Sequence, residues 1–262
     1  MNSVKISAVI LTLNEEKNIG RCIDSIQEVA DEILVVDSFS NDQTGEICKT
    51  KGARFVQNKF EGFIEQETFA TNQATYDYLL ILDADEALSG ELKKSISEVK
   101  LNWKYDAYSY SRLSQYCGKW IYHCGWYPDK KTRLINRKKG NWKGENPHHK
   151  FELRQGGKIK HLKGDLFHYA FLSISEHVIT ANKYSDVAAR EVIKKNRNVN
   201  FLVHVVLNPF YTFINKYFFK LGVLDGYYGF IICIVSSFAN FLKYSKAFQL
   251  SRNLKSSQVA IK

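Results

Sequence analysis

Short apolar runs alternate with amphipathic segments over the first hundred residues. Residues 5–13 and 54–57 read as strands, and 32–37 carries the run Ile33-Leu34-Val35-Val36 before Asp37. Residues 78–82 are apolar without a break, as in a strand covered on both faces. Between them, Ile19, Cys22, Ile23 and Ile26 share one helical face, with Asn14 as the expected cap, and 44–51 and 63–75 continue as helices. A further helix is expected near Ser89. Strand and helix in alternation predict an α/β fold with a parallel sheet. Two strands end on acids, at Asp37 and Asp83, and adjacent parallel strands would bring both to one edge, where open α/β sheets bind ligands.

The pattern loosens after residue 105. Residues 107–113 and 132–136 read as strands, flanking an aromatic stretch at 117–129, and 142–151 reads as a polar loop. A helix is expected over 174–195. Beyond Asn200, residues 201–219 and 227–242 are strongly apolar and aromatic, the first broken by Pro209, and lysines border both. Such helices suit a membrane interface or a packed hairpin, and the second run is slightly short for a bilayer span. The predicted division is a catalytic domain over 1–172 and a helical, membrane-associating region over 173–262.

Composition narrows the candidates. With 262 residues, 45% hydrophobic and 24% charged, the chain can bury a sizeable core. A net charge of +10 favours anionic partners, whether nucleic acid, anionic lipid or phosphorylated small molecules. Five scattered cysteines with no CxxC pair argue against a disulfide framework or a structural zinc site. The amino terminus runs directly into a strand without a signal-peptide layout, so the catalytic part is expected in the cytoplasm.

The chemistry is expected at Asp83, Asp85 and Glu86, directly after an apolar strand. Clustered carboxylates at a sheet edge repel one another unless a cation intervenes, and hard oxygen ligands suit Mg2+ or Mn2+. The competing reading is a solvated acidic turn. Neither GxGxxG nor GxxxxGK follows the first strand, which disfavours a dinucleotide-binding enzyme or a P-loop ATPase.

Thr12-Leu13-Asn14-Glu15, Val35-Val36-Asp37-Ser38 with Asn41-Asp42-Gln43-Thr44, and Asp83-Ala84-Asp85-Glu86 together resemble the nucleotide-sugar half of family 2 glycosyltransferases. Within that family the chain is similar to bacterial lipopolysaccharide-core β-1,4-glucosyltransferases over about residues 4–246. The resemblance implies a GT-A fold, a Rossmann-like mixed sheet, here with an amphipathic helical tail. It implies an inverting transfer of a hexose, glucose by analogy, from a UDP-linked donor to a lipid-linked saccharide of lipopolysaccharide or another cell-surface glycan. The donor site it implies comprises Thr12, Leu13, Asn14, Glu15, Asp37, Asp42, Asp83 and Ala84, with Asp83 and Asp85 at a divalent cation.

Trp126, Tyr127, Arg133 and His148 are candidates for the acceptor site; aromatic rings can stack on sugar faces, or simply fill a core. Arg137, Lys138 and Lys139 could meet acceptor phosphates or form a solvated face. Two departures from the family stand out. His149 replaces a Glu, leaving His149 or Asp129 as the general base, and Glu67 stands where relatives carry Lys. Expected placement is peripheral, on the cytoplasmic face of the inner membrane, against an anionic lipid surface and without nucleic acid. Alternatives are a sugar nucleotidyltransferase, or a non-catalytic basic module that binds membrane.

Overall fold

The computed structural model describes residues 3–145, 148–195 and 198–259, with the side chains of 145, 148, 149 and 254–259 left aside. It contains two compact units, Met1–Leu113 with Pro128–Tyr169, and Ser114–Tyr127 with Ala170–Lys262.

The first unit opens with β1 (Ile6–Thr12), α1 (Ile19–Ile26), β2 (Glu32–Asp37), α2 (Thr44–Thr50), β3 (Arg54–Gln57), α3 (Phe63–Gln73) and β4 (Tyr78–Asp83). It continues with β5 (Glu86–Leu88), α4 (Gly90–Leu101), β6 (Ala107–Tyr116), whose last residues belong to the second unit, then β7 (Lys119–Ile121) there and β8 (Asp129–Asn136) back in the first. β9 (Gly140–Glu145) and β10 (His148–Leu153) form a hairpin, and β11 (Ile159–Phe171) follows.

The main sheet runs β3-β2-β1-β4-β8-β6-β11-β5. β1 pairs in parallel with both β2 and β4, and β2 with β3, whereas β8 joins β4 antiparallel. The parallel half is therefore as the alternation predicts, with one correction. β2 and β4 are not neighbours: β1 lies between them, so the tips carrying Asp37 and Asp83 share an edge but are separated by a strand.

β1 and β4 are buried on both faces. Ile6, Ala8, Ile10, Leu80 and Leu82 enter one core with α1 and α4, while Val9, Leu79 and Ile81 enter another with Ala70 of α3 and Phe151 of β10. Each buried Val, Leu or Ile side chain contributes about 1.5–3 kcal/mol, which anchors the strands and fixes where their polar ends emerge.

Several local expectations change. Asn14 does not cap α1; Asn18 occupies that position and makes no side-chain cap. Asn14 instead has a left-handed backbone (φ 56) and reaches the loop after β2. Ser89 does cap α4, its Oγ accepting from the Leu92 amide at 3.2 Å. The segment read as a polar loop at 142–151 contributes β-hairpin residues, because Trp142 and Phe151 turn inward onto the second core.

In the second unit, β7 pairs with the end of β6. α5 (Ile174–Lys194) precedes a π-helical stretch (Phe201–Leu207), α6 (Asn208–Ile214), a second π-helical stretch (Asn215–Phe219), a 3-10 turn (Gly222–Asp225) and α7 (Gly226–Val259). Pro209 does not break the helix; it sits in the first turn of α6, where its missing N–H costs little. α7 passes close to the 3-10 turn at Gly229, where an added Cβ would collide with the Gly222 carbonyl oxygen.

Candidate active site

Register places three strand ends level. Thr12 pairs with Asp37, and Leu11 with Asp83, so the carboxyl ends of β1, β2 and β4 open onto one edge. The loops leaving β1 and β2 are tied together. Asn14 N–H donates to Ser40 Oγ at 2.7 Å, Asn41 N–H to Asn14 Oδ1 at 2.9 Å, and Glu15 N–H to Thr44 Oγ1 at 2.8 Å. Asp42 accepts from Glu16 N–H and from the amide and hydroxyl of Thr44. Asp37 is fully buried and accepts from Ser40 N–H (2.9 Å), Ser40 Oγ and Gln57 Nε2 (3.1 Å). Between Asp37 and Ser40, Phe39 is exposed in a left-handed conformation (φ 64), uncommon for a bulky residue and of the kind that clusters at ligand sites. Thr12 Oγ1 is buried and has no hydrogen-bond partner among the described residues.

The β4 end is held by guanidinium groups. Arg133 on β8 grips both oxygens of Asp83, at 3.3 and 3.1 Å. Arg112 on β6 lies 3.3 Å from Glu86 Oε1 and also binds Asp129, through Nε at 3.0 Å and a terminal nitrogen at 2.8 Å. Lys131 adds a contact to Asp129 at 3.1 Å. Glu86 is buried, and its other oxygen accepts from the Asp83 amide at 3.0 Å. Burial pushes Asp83 up, but Arg133, with Arg112 and His168, brings its carboxyl below the usual range. Burial and the neighbouring Asp83 leave Glu86 raised.

Asp85 turns towards β11, its carboxylate 3.3 Å from His168 Nε2, while its carbonyl accepts from Tyr169 N–H at 2.9 Å. The Arg21 guanidinium lies over the Tyr169 ring at 3.3 Å. Glu15 is raised, first by burial and then by Asp85, Asp42 and Asp83, against the lowering bond from Asn18. A residual negative field therefore persists at this edge. No group of three or more His, Cys, Asp or Glu ligands converges among the described residues. Of the two predicted cation ligands, Asp83 is bonded to Arg133, whereas Asp85, with His168 beside it, presents one oxygen and one nitrogen donor of the kinds that Mn2+ accepts.

Donor candidates Thr12, Leu13, Asn14, Glu15, Asp37, Asp42, Asp83 and Ala84 thus gather at one edge, with Leu13 exposed and Ala84 buried. Arg133, read as an acceptor contact, is bound to Asp83. Asp129 is bound to Arg112 and Lys131. Trp126 and Tyr127 belong to the second unit: Trp126 packs against Tyr116, Phe171 and His177, and Tyr127 pairs edge-on with Tyr122 at 5.7 Å. His148 and His149 lie in β10, with side chains outside the described set. Arg137 and Lys138 bind Asp77, and Lys139 binds Asp106. Glu67 is buried in α3, and its charge helps hold Arg133 protonated against burial.

Glu86 was legible as an acid but not as a buried one. Arg112 had a signal: a charge on the same side of a strand as Tyr108 and Tyr110 needs a buried partner. His168 had none, since its role depends on the pairing of β11 with β5.

A cavity of about 380 Å³ adjoins Arg133, between β8 and the β9–β10 hairpin, and its lining includes Lys130, Lys131, Lys150 and Trp142. A larger one of about 560 Å³, between α4 and β11, touches none of the acidic strand ends.

The sequence profile of glycosyl transferase family 2 matches residues 7–157. An uncharacterized glycosyltransferase of Rickettsia prowazekii is 33% identical, over 97% of this chain and 90% of its own length. The lipopolysaccharide core biosynthesis glycosyltransferase LpsC of Rhizobium meliloti is 27% identical, over 93% of this chain and 92% of its own. Among solved structures, glucosyl-3-phosphoglycerate synthase of Mycobacterium tuberculosis, crystallised with Mn2+, uridine diphosphate and glucosyl-3-phosphoglycerate, is similar over 43% of this chain and 44% of its own, at 24% identity and a TM-score of 0.35.

Proposed function

Since this chain belongs to glycosyl transferase family 2, and is therefore a glycosyltransferase with a GT-A catalytic domain, we propose that it moves glucose from a UDP-linked donor, with inversion, to a saccharide hydroxyl. The acceptor we propose is a lipid-linked precursor of lipopolysaccharide or a related cell-surface glycan, reached from the cytoplasm. The likeness to LpsC supports the acceptor class.

The observation that carries the donor reading is the level set of strand ends at Thr12, Asp37 and Asp83, with the loops of β1 and β2 bonded into one rim. In this reading Asp37 and Asp42 keep the rim in shape for the nucleoside, and Phe39 offers an exposed ring to a flat base. Asp85 and His168 would hold the divalent cation, which when bound offsets negative charge on the departing diphosphate. Asp83 then acts through its bond to Arg133, setting the floor of the site. Lys131, Arg133 and Lys150 line the adjoining cavity with positive charge, which suits an acceptor that itself carries phosphate or carboxylate. The acceptor proton passes to His149 or to Asp129; His149 is the better base of the two, since Asp129 is already bonded to two cations.

Titration calorimetry with UDP, with and without Mn2+, tests the donor site, and a panel of nucleotide sugars scored by nucleotide release tests the sugar. Manganese-dependent UDP binding is the expected result; no heat in either condition rules the donor reading out. His149→Gln should lower turnover by roughly 100-fold with donor affinity retained.

A further inference from the structure

In the second unit, the helices expose much of their apolar surface. On α7, Ile232, Cys233, Val235 and Ala247 are buried, whereas Tyr227, Phe230, Ile234, Phe238 and Phe241 are exposed. The exposed five recur at intervals of three and four residues, so they form a single stripe along the helix. The segment before it exposes Leu207, Phe210, Tyr211, Ile214 and Phe218, the adjacent Phe210 and Tyr211 being 68% and 62% exposed. These elements are fixed to each other: Ser237 Oγ donates to the Pro209 carbonyl at 2.7 Å, Asn240 Nδ2 to Thr212 Oγ1 at 2.6 Å, and the Phe213 and Phe230 rings meet edge-on at 5.9 Å. The exposed stripes therefore belong to an ordered surface.

Charge identifies what covers it. From residue 201 onward the chain has seven Lys and Arg but one acid, Asp225. That acid is buried and accepts from the His123 amide at 2.9 Å, so it does not offset the surface charge, and of the seven cations Lys246 is taken up by Asp186 of α5. A second copy of the chain would bring two positive rims together. An anionic surface is the complementary partner, since lysines beside aromatic and aliphatic side chains are what an anionic bilayer attracts.

Within Gly222–Asn253 an apolar window with a mean hydropathy of 1.5 is long enough to cross a membrane, yet a third of that window is buried in the protein. Lys246 within it binds Asp186 and Asn182 of α5. One side of α7 is thus committed to protein, which favours lying on the bilayer over spanning it.

We infer that the exposed stripes of α6 and α7 form a docking face for an anionic lipid bilayer, with the aromatic side chains at the headgroup boundary and the lysines against lipid phosphates.

The test is co-sedimentation of the full chain with vesicles of phosphatidylcholine alone or mixed with phosphatidylglycerol. Binding should require phosphatidylglycerol and weaken about tenfold or more in high salt. The double variant Phe238→Glu, Phe241→Glu should lose about tenfold or more in vesicle affinity while keeping its melting temperature and UDP affinity. Should that variant misfold, Lys243→Glu at the end of the stripe should still weaken binding severalfold. UDP binding measured in parallel separates failure of this inference from failure of the donor reading. Equal sedimentation with and without phosphatidylglycerol, binding unchanged in the variants, or a dimer that the double variant dissolves would each overturn it. So would resistance of the membrane-bound protein to carbonate extraction.

Discussion

Asp225 in the second unit and the pair Glu86 and Asp83 in the first are held by different kinds of partner. Asp225, in the second unit, is only 3% exposed and accepts from the backbone amides of Tyr122 and His123 and from His123 Nδ1. Those donors come from one short turn, so the carboxylate acts as a staple between the turn and the start of α7. Glu86 and Asp83, in the first unit, are held by Arg112 and Arg133, which come from β6 and β8. Guanidinium partners from separate strands leave the acids at an open edge and fix their directions through planar, forked bonds. At Asp225 local amide donors pin a turn; at Asp83 and Glu86 charged donors from distant strands set the edge of a site.

The sharpest way to break this comparison is Asp85→Asn. If the β4 edge is the cation site, transfer should fall about 1000-fold or more, with melting unchanged, as judged by nucleotide release. A loss below tenfold would make the edge structural, like Asp225. Next in size, Asp225→Ala should lower stability by about 3–4 kcal/mol in urea titrations, because several buried donors lose their acceptor.

The pH dependence of the second unit comes next. His177 is buried against Phe171 and Tyr116, and burial, with Lys216 nearby, lowers its pKa to about 4. The folded state thus favours neutral imidazole, so its contribution is fully present above the unfolded value of about 6.5 and is lost as pH falls towards 4. The loss should approach about 3 kcal/mol and be absent in His177→Gln, measured by urea midpoints between pH 7 and 4. The smallest effect sharpens the guanidinium argument. Arg112→Lys keeps the charge but loses the fork that joins Glu86 to Asp129, and turnover should drop about tenfold with donor affinity retained.

Much of the first unit was legible from its residues. The unbroken aliphatic run of β4 required cover on both faces, and its acids had to emerge at the strand end. Asn14 was misplaced because a short polar residue before a helix signals a cap, and nothing local reveals that its amide oxygen serves the Asn41 backbone instead. The segment at 142–151 was hidden for a similar reason. Lys143 and Lys150 are exposed, whereas the distant Thr71, whose hydroxyl accepts from Trp142 Nε1 at 3.0 Å, and the second core hold the inward side of the hairpin.

Alternation of apolar runs sufficed for the class of fold, and spacing sufficed for the motif set, because both depend on neighbours within a few residues. The aromatic, lysine-bordered character of the last sixty residues was equally local. Which cation meets which acid was not. Arg133 reaches Asp83 across 50 positions, and His168 finds Asp85 through the pairing of β11 with β5. Such partnerships arise when strands distant in the chain become neighbours in a sheet, a choice made by burial of whole faces rather than by any short stretch of residues.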